Sequence, residues 1–118
     1  MTETSNPLGS IEISPLAIAT IASQAVLQSY GVVGMAAKNM VDGLANRLAP
    51  DPRHGVEVIV GDEIDIHLYI IVEYGTRISA VADSVAHTVR FHVERALGMP
   101  VGAINVHVQG LRVSNADA

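Results

Sequence analysis

GVEVIVGDEIDIHLYIIVEYG, residues 55–75, alternates with a period of two on either side of a Gly61-Asp62 break. Val56, Val58 and Val60 fall on one side of the first run; Glu57 and Ile59 fall on the other. In the second run Ile64, Ile66, Leu68, Ile70 and Val72 alternate with Asp65, His67, Tyr69, Ile71 and Glu73. Successive side chains of a strand point to opposite faces, so the pattern predicts a β-hairpin with one apolar and one mostly polar face. The rest of the chain is expected to cover the apolar face.

Working outward, Thr76 is the expected N-cap of a helix from Arg77 to Leu97. Ile78, Val81, Ala82, Val85, Val89, Val93, Ala96 and Leu97 form its apolar stripe. Arg90 and Glu94 read as a modest surface pair. Gly98 and Pro100 stop the helix, and a last strand, Val101 to Gly110, turns Ile104, Val106 and Val108 inward and Asn105, His107 and Gln109 outward. Upstream of the hairpin, Ser14-Pro15 starts a helix that runs towards Gly31, after a short strand at Ser10–Ile13. Gly31 to Met35 reads as a brief strand or a packed loop. A further helix is expected over 36–48 and a breaker-rich loop over 50–55. The fold class is therefore α/β, a two-layer α/β sandwich with a small, mostly antiparallel sheet and helices packed on one face. The expected organisation is a flexible lead-in over 1–9, a single domain over 10–113 and a flexible tail over 114–118.

Composition narrows the function. With one Phe and no Trp, the core must be aliphatic. The absence of Cys removes disulfides, thiolate nucleophiles and Cys-based metal sites. A net charge of −5 argues against a broad footprint on nucleic acid or an anionic bilayer. No apolar stretch approaches the roughly 20 residues of a membrane span, and no secretion signal opens the chain. A cytoplasmic protein is expected, joined to a membrane only through a partner.

A few constellations could carry chemistry. His67, His107 and Asp65 lie on outward positions of two predicted strands. If those strands are neighbours, the three form a candidate metal site for a metal-binding enzyme or sensor. A polar sheet face with scattered histidines accounts for the same residues. His87 and His92 are five apart on a helix, which does not favour joint coordination, and His54 lies in a loop. Gly31-Val-Val-Gly34 resembles the GXXG loop of KH domains but lacks its basic residues, and two glycines at a tight turn are the simpler reading. Asp62 and Glu63 read as a solvated turn pair. No nucleophile elbow, P-loop or dinucleotide fingerprint is present, so no enzyme activity and no cofactor are expected. Tyr69 and Ile71 on the outward face, with Tyr74 beside it, are the candidate protein-interaction residues, and homo-oligomer formation is one way to cover them.

The segments GSIEIS (9–14), YGVVGM (30–35), GVEV (55–58), IVEYG (71–75) and VGAINVHVQG (101–110) together resemble the alkaline-shock-protein, or general-stress-protein, family of mainly Gram-positive bacteria. That resemblance implies a small, cytoplasmic, non-enzymatic protein of cell-envelope homeostasis, in some members held at the membrane by a separate anchor. GMAAKN (34–39), YIIVEYGTRIS (69–79) and VQGLRVSN (108–115) are similar to a short, tail-less subgroup, typically encoded beside a fatty-acid kinase. The resemblance thus implies a protein partner, either a membrane-anchored envelope protein or a fatty-acid-kinase-like enzyme. It supplies no catalytic residues.

Overall fold

The structure is a computed structural model and describes residues 3–6, 9–36 and 55–113. Its elements in chain order are β1 (Glu3–Asn6), β2 (Gly9–Glu12), α1 (Pro15–Leu27), β3 (Val32–Met35), β4 (Val56–Val60), β5 (Ile64–Glu73), α2 (Ile78–Leu97) and β6 (Ile104–Arg112). The helix expected over 36–48, the 50–54 loop and the 114–118 tail lie outside the described residues.

The hairpin forms as the alternation predicts. β4 and β5 pair antiparallel with Val56 opposite Leu68 and Val60 opposite Ile64. β5 is twice as long as β4, and β3 takes the remainder of the same edge, with Val32 opposite Val72 and Met35 opposite Ile70. The two neighbours meet at Tyr69. Its amide donates to the Gly55 carbonyl at 2.8 Å, and its carbonyl accepts from the Ala36 amide at 2.9 Å. β6 runs parallel to β5 along the other edge, from Ile66 opposite Ile104 to Glu73 opposite Arg112. The sheet is thus mostly antiparallel, with one parallel pair joined by the crossover helix α2.

The even-numbered side chains of β5 make the core. Ile66, Leu68, Ile70 and Val72 are fully buried beneath Val85, Val89 and Val93 of α2 and Ile18, Ala22 and Val26 of α1. Complete burial of each large aliphatic is worth roughly 1.5–3 kcal/mol. The alanines of α1 let it pack closely against both α2 and the sheet. Ser14 caps α1 by accepting from the Ala17 amide at 3.1 Å, with Pro15 in the first turn.

Four details differ from the sequence reading. The 1–9 stretch contains a strand, β1, paired with β2 from Glu3 opposite Glu12 to Asn6 opposite Gly9. α1 ends at Leu27, short of Gly31. Thr76 does not cap α2: its hydroxyl donates to the Glu73 carbonyl at 2.7 Å, closing the turn after β5, and the helix begins one residue later with Arg77 at its N-cap. The final strand starts at Ile104 and continues through Leu111 and Arg112, because the Tyr74 amide donates to the Arg112 carbonyl at 2.8 Å. A bulge at Gln109 shifts the register there, so Gly110 rather than Gln109 lies opposite Ile71.

Arg90 and Glu94 do more than pair on the surface. Their 3.4 Å contact accompanies bonds from the Arg90 guanidinium to the carbonyls of Val101 at 3.1 Å and Gly102 at 2.9 Å. The Val101 amide returns a bond to Glu94 at 2.9 Å. From the sheet, Asp65 accepts from the Ala103 amide at 2.8 Å and the Ile64 carbonyl accepts from the Gly102 amide at 2.7 Å. A Cβ at Gly102 would collide with the Asp65 carboxylate, so glycine is required where the loop is held from both layers. These bonds fix where β6 enters and therefore its register on β5. Arg90→Ala is expected to cost about 1–3 kcal/mol, because it strands two carbonyls and a carboxylate. Asp83→Ala, which removes an exposed pair with His87, should stay within about 0.5 kcal/mol. Urea unfolding of both variants checks the contrast.

Candidate functional site

The sheet face turned away from the helices carries Glu57 and Ile59 from β4, Asp65, His67, Tyr69, Ile71 and Glu73 from β5, and Asn105 and His107 from β6. Parallel pairing sets His107 directly opposite Tyr69, and their rings stack with centroids 4.6 Å apart and planes 11° from parallel. From that position the His107 ring reaches His67, two residues back along β5. His67 Nδ1 and His107 Nε2 are 2.9 Å apart.

The shape of this contact decides its chemistry. The two imidazole centroids lie 5.2 Å apart with planes 16° from parallel. That separation equals the nitrogen–nitrogen distance plus one ring radius from each side, so the rings meet edge to edge with the nitrogens in line. This is the geometry of an N–H···N hydrogen bond, in which one nitrogen carries the hydrogen and the other accepts it. An ion cannot sit between them: half of 2.9 Å is well short of the roughly 2.0–2.1 Å of a zinc–imidazole bond. Asp65, the third candidate ligand, accepts from the Ala103 amide instead. Among the described residues, no three His, Asp or Glu side chains gather where they could hold a metal ion.

The other sequence-named residues separate. Tyr69 is only 7% exposed and belongs to the packed surface beneath His107. Ile71 is half-buried opposite Gly110, whereas Tyr74 is 63% exposed. Asp62 and Glu63 are exposed in the β4–β5 turn. His87 is exposed, with Nδ1 2.9 Å from the Asp83 carbonyl, and His92 is exposed with its ring edge-on to Phe91. Gly31 and Gly34 border or lie within β3 rather than forming a clamp loop. Gly31 has a φ of +88°, and a Cβ there would press into Val81 of α2.

Tyr74 has company that the sequence did not reveal. The Glu73 amide donates to the Gly31 carbonyl at 2.9 Å, while the Tyr74 amide donates to the Arg112 carbonyl at 2.8 Å. The turn after β5 therefore ties together the start of β3 and the end of β6. Tyr30, just before Gly31, is 82% exposed, and Val113, just after Arg112, is 61% exposed. Ile78, in the first turn of α2, is exposed at the same end. Two tyrosines, a valine and an isoleucine thus crowd one end of the sheet in water. Periodicity assigned Tyr30 to a helix and Val113 to a polar tail; only the closing hydrogen bonds bring them together.

A double-mutant cycle on His67→Ala and His107→Ala is expected to return a coupling of about 1 kcal/mol, the net value of one intramolecular hydrogen bond. Zinc should leave the thermal midpoint of the wild-type chain and of His107→Ala equally unchanged; a zinc-dependent rise lost in His107→Ala would contradict the in-line reading.

Comparison with known proteins agrees with the distributed sequence pattern. Residues 3–113 match the family of the alkaline shock protein, described as having a cell envelope-related function. An uncharacterised protein of Bacillus subtilis strain 168, YloU, is 44% identical over 110 residues, covering 91% of this chain and 92% of its own. Spy1614 of Streptococcus pyogenes serotype M6, also uncharacterised, is 32% identical over 108 residues, covering 89% of each chain. A second B. subtilis protein, YqhY, is 32% identical over 107 residues and covers 89% of this chain and 78% of its own. Among the described residues, no helix is long and apolar enough to cross a membrane. With 111 consecutive positions matched, from residue 3 to residue 113, this chain belongs to the alkaline-shock-protein family.

Proposed function

We propose that the chain is a non-enzymatic, cytoplasmic interaction module that supports the cell envelope or membrane lipid supply by binding another protein. The observation that carries this reading is the exposed apolar end formed by Tyr30, Tyr74, Ile78 and Val113. Tyrosine suits a recognition surface because it offers a large, rigid ring with a polar tip and few rotamers to freeze. The adjoining backbone is fixed by the bonds that close β3, β5 and β6, so the side chains are presented from a rigid base. The family description favours an envelope-related role for that surface. Family resemblance also favours two kinds of partner: a membrane-anchored envelope protein, or a fatty-acid-kinase-like enzyme.

Affinity capture from the native host, with soluble and membrane fractions analysed separately, tests the proposal. A kinase-like enzyme in the soluble fraction supports an accessory module, and a small integral membrane protein in the membrane fraction supports an envelope scaffold. In either case Tyr74→Lys is expected to lower recovery at least about tenfold, the loss of roughly 1.4 kcal/mol from a central aromatic contact. Its unfolding midpoint should not move, because the ring is exposed. Undiminished recovery with Tyr74→Lys, or recovery of no partner in either fraction, would contradict the proposal.

A further inference from the structure

We infer that the outer edge of β6 receives the β1–β2 hairpin of a second copy of this chain, so that copies join head to tail through a continuous sheet.

The first observation is an unprotected edge. The Ile66 amide donates to the Ala103 carbonyl, so residues 103, 105 and 107 turn their backbone groups toward β5. Ile104, Val106 and Val108 therefore point theirs away, and among the described residues no strand pairs with that side. Edge strands are ordinarily guarded by charge, proline, brevity or a bulge. From Ile104 to Val108 the strand has no charge, no proline and no bulge; the bulge comes only at Gln109. That regular stretch of edge is open to strand addition.

The second observation is a hairpin without a floor. β1 and β2 pair only with each other, and Gly9 to Glu12 are exposed throughout. A lone two-stranded hairpin is marginally stable in water and needs a third strand or a packing face. Its own β6 is out of reach. The hairpin joins α1 through Ile13 and Ser14, and α1 packs over β3 and β4, on the opposite edge of β5 from β6. Two linking residues extend about 7 Å. The path from β4 across β5 and β6 to an added strand is about 14 Å, three strand spacings. A second copy can supply what the chain cannot supply to itself.

Charge sets the orientation. The open end of the hairpin is its acidic end, where the register pairs Glu3 with Glu12. The one charged residue of β6 is Arg112, at its C-terminal end. Laying the open end of the hairpin beside Arg112 joins the acidic end to the basic one and brings the hairpin turn near Ile104. Donor hairpin and acceptor edge are different surfaces, so the contact is heterologous and repeats from copy to copy.

The chain has no cysteine, so single introduced thiols report contacts cleanly. Ser10→Cys and Asn105→Cys proteins, mixed and treated with a short bis-maleimide, should give a covalent pair. Each variant alone should give little. Val106→Pro removes only an amide that faces the free edge, leaving the β5 ladder intact. Light scattering should show wild-type mass rising with concentration above 12.4 kDa, and Val106→Pro should hold that single-chain mass with an unchanged helical circular dichroism signal. Three results would overturn the inference: self-linking of Asn105→Cys, which would mean that two β6 edges meet each other; wild-type mass of one chain at every concentration; or persistent assembly of folded Val106→Pro. Should Val106→Pro fail to fold, the cross-linking pair decides alone.

Discussion

Hydrogen bonding along both edges of β5 is the constraint on which the other elements depend. Its odd-numbered residues turn their backbone groups to β4 and β3; its even-numbered residues turn theirs to β6. A ten-residue strand buried in this way satisfies its own polar backbone, which frees Ile66, Leu68, Ile70 and Val72 to fill the core without a solvation penalty. The two shorter strands on one edge meet at a single residue, Tyr69. The chain leaves the sheet after Ala36 and returns at Gly55 without breaking the ladder.

The same strand determines the surface features. Because β6 lies parallel and in register, His107 is set beside Tyr69 and within reach of His67. Because β5 ends at Glu73, its closing turn gathers Tyr30, Tyr74 and Val113 at one end. The first cluster is internally satisfied, ring on ring and nitrogen to nitrogen. The second has large side chains in water. That difference is why the apolar end, and not the histidine pair, is the better candidate for recognition. The distinction rests on how much each group gains from a partner: an in-line hydrogen bond gains nothing further, whereas an exposed tyrosine still has its area to bury.

Much of the sheet was legible because a period of two is a direct statement about which side chains share a face. The β4–β5 hairpin, the valine stripe of α2 at positions 81, 85, 89 and 93, the Ser14-Pro15 start and the Gly98 stop are local signals, and local signals survive folding. Strand order is not local. Nothing in the residues of β6 announces that it runs parallel beside β5; that follows from the crossover through α2. The meeting of His67 with His107 could therefore be posed only as a condition. Thr76 illustrates competition within one turn: a hydroxyl suited to capping a helix finds the Glu73 carbonyl closer and closes the bend instead. Arg90 and Glu94 illustrate the opposite error, in which helical spacing marks a surface pair while the backbone of the α2–β6 loop supplies the decisive partners. The apolar end was half legible. Tyr74 stood out beside the hairpin, but Tyr30 and Val113 join it from distant parts of the chain.

Residue-resolved native-state hydrogen exchange of dilute protein tests the central claim, that β5 is one cooperative spine paired on both sides. The amides from Ile64 to Glu73 should be the slowest in the chain and should exchange together, odd and even residues alike, at the free energy of global unfolding. If residues 64–68 were released at a lower free energy than residues 70–73, or the even-numbered amides facing β6 opened before the odd-numbered ones, β5 would not be the element that holds this fold together.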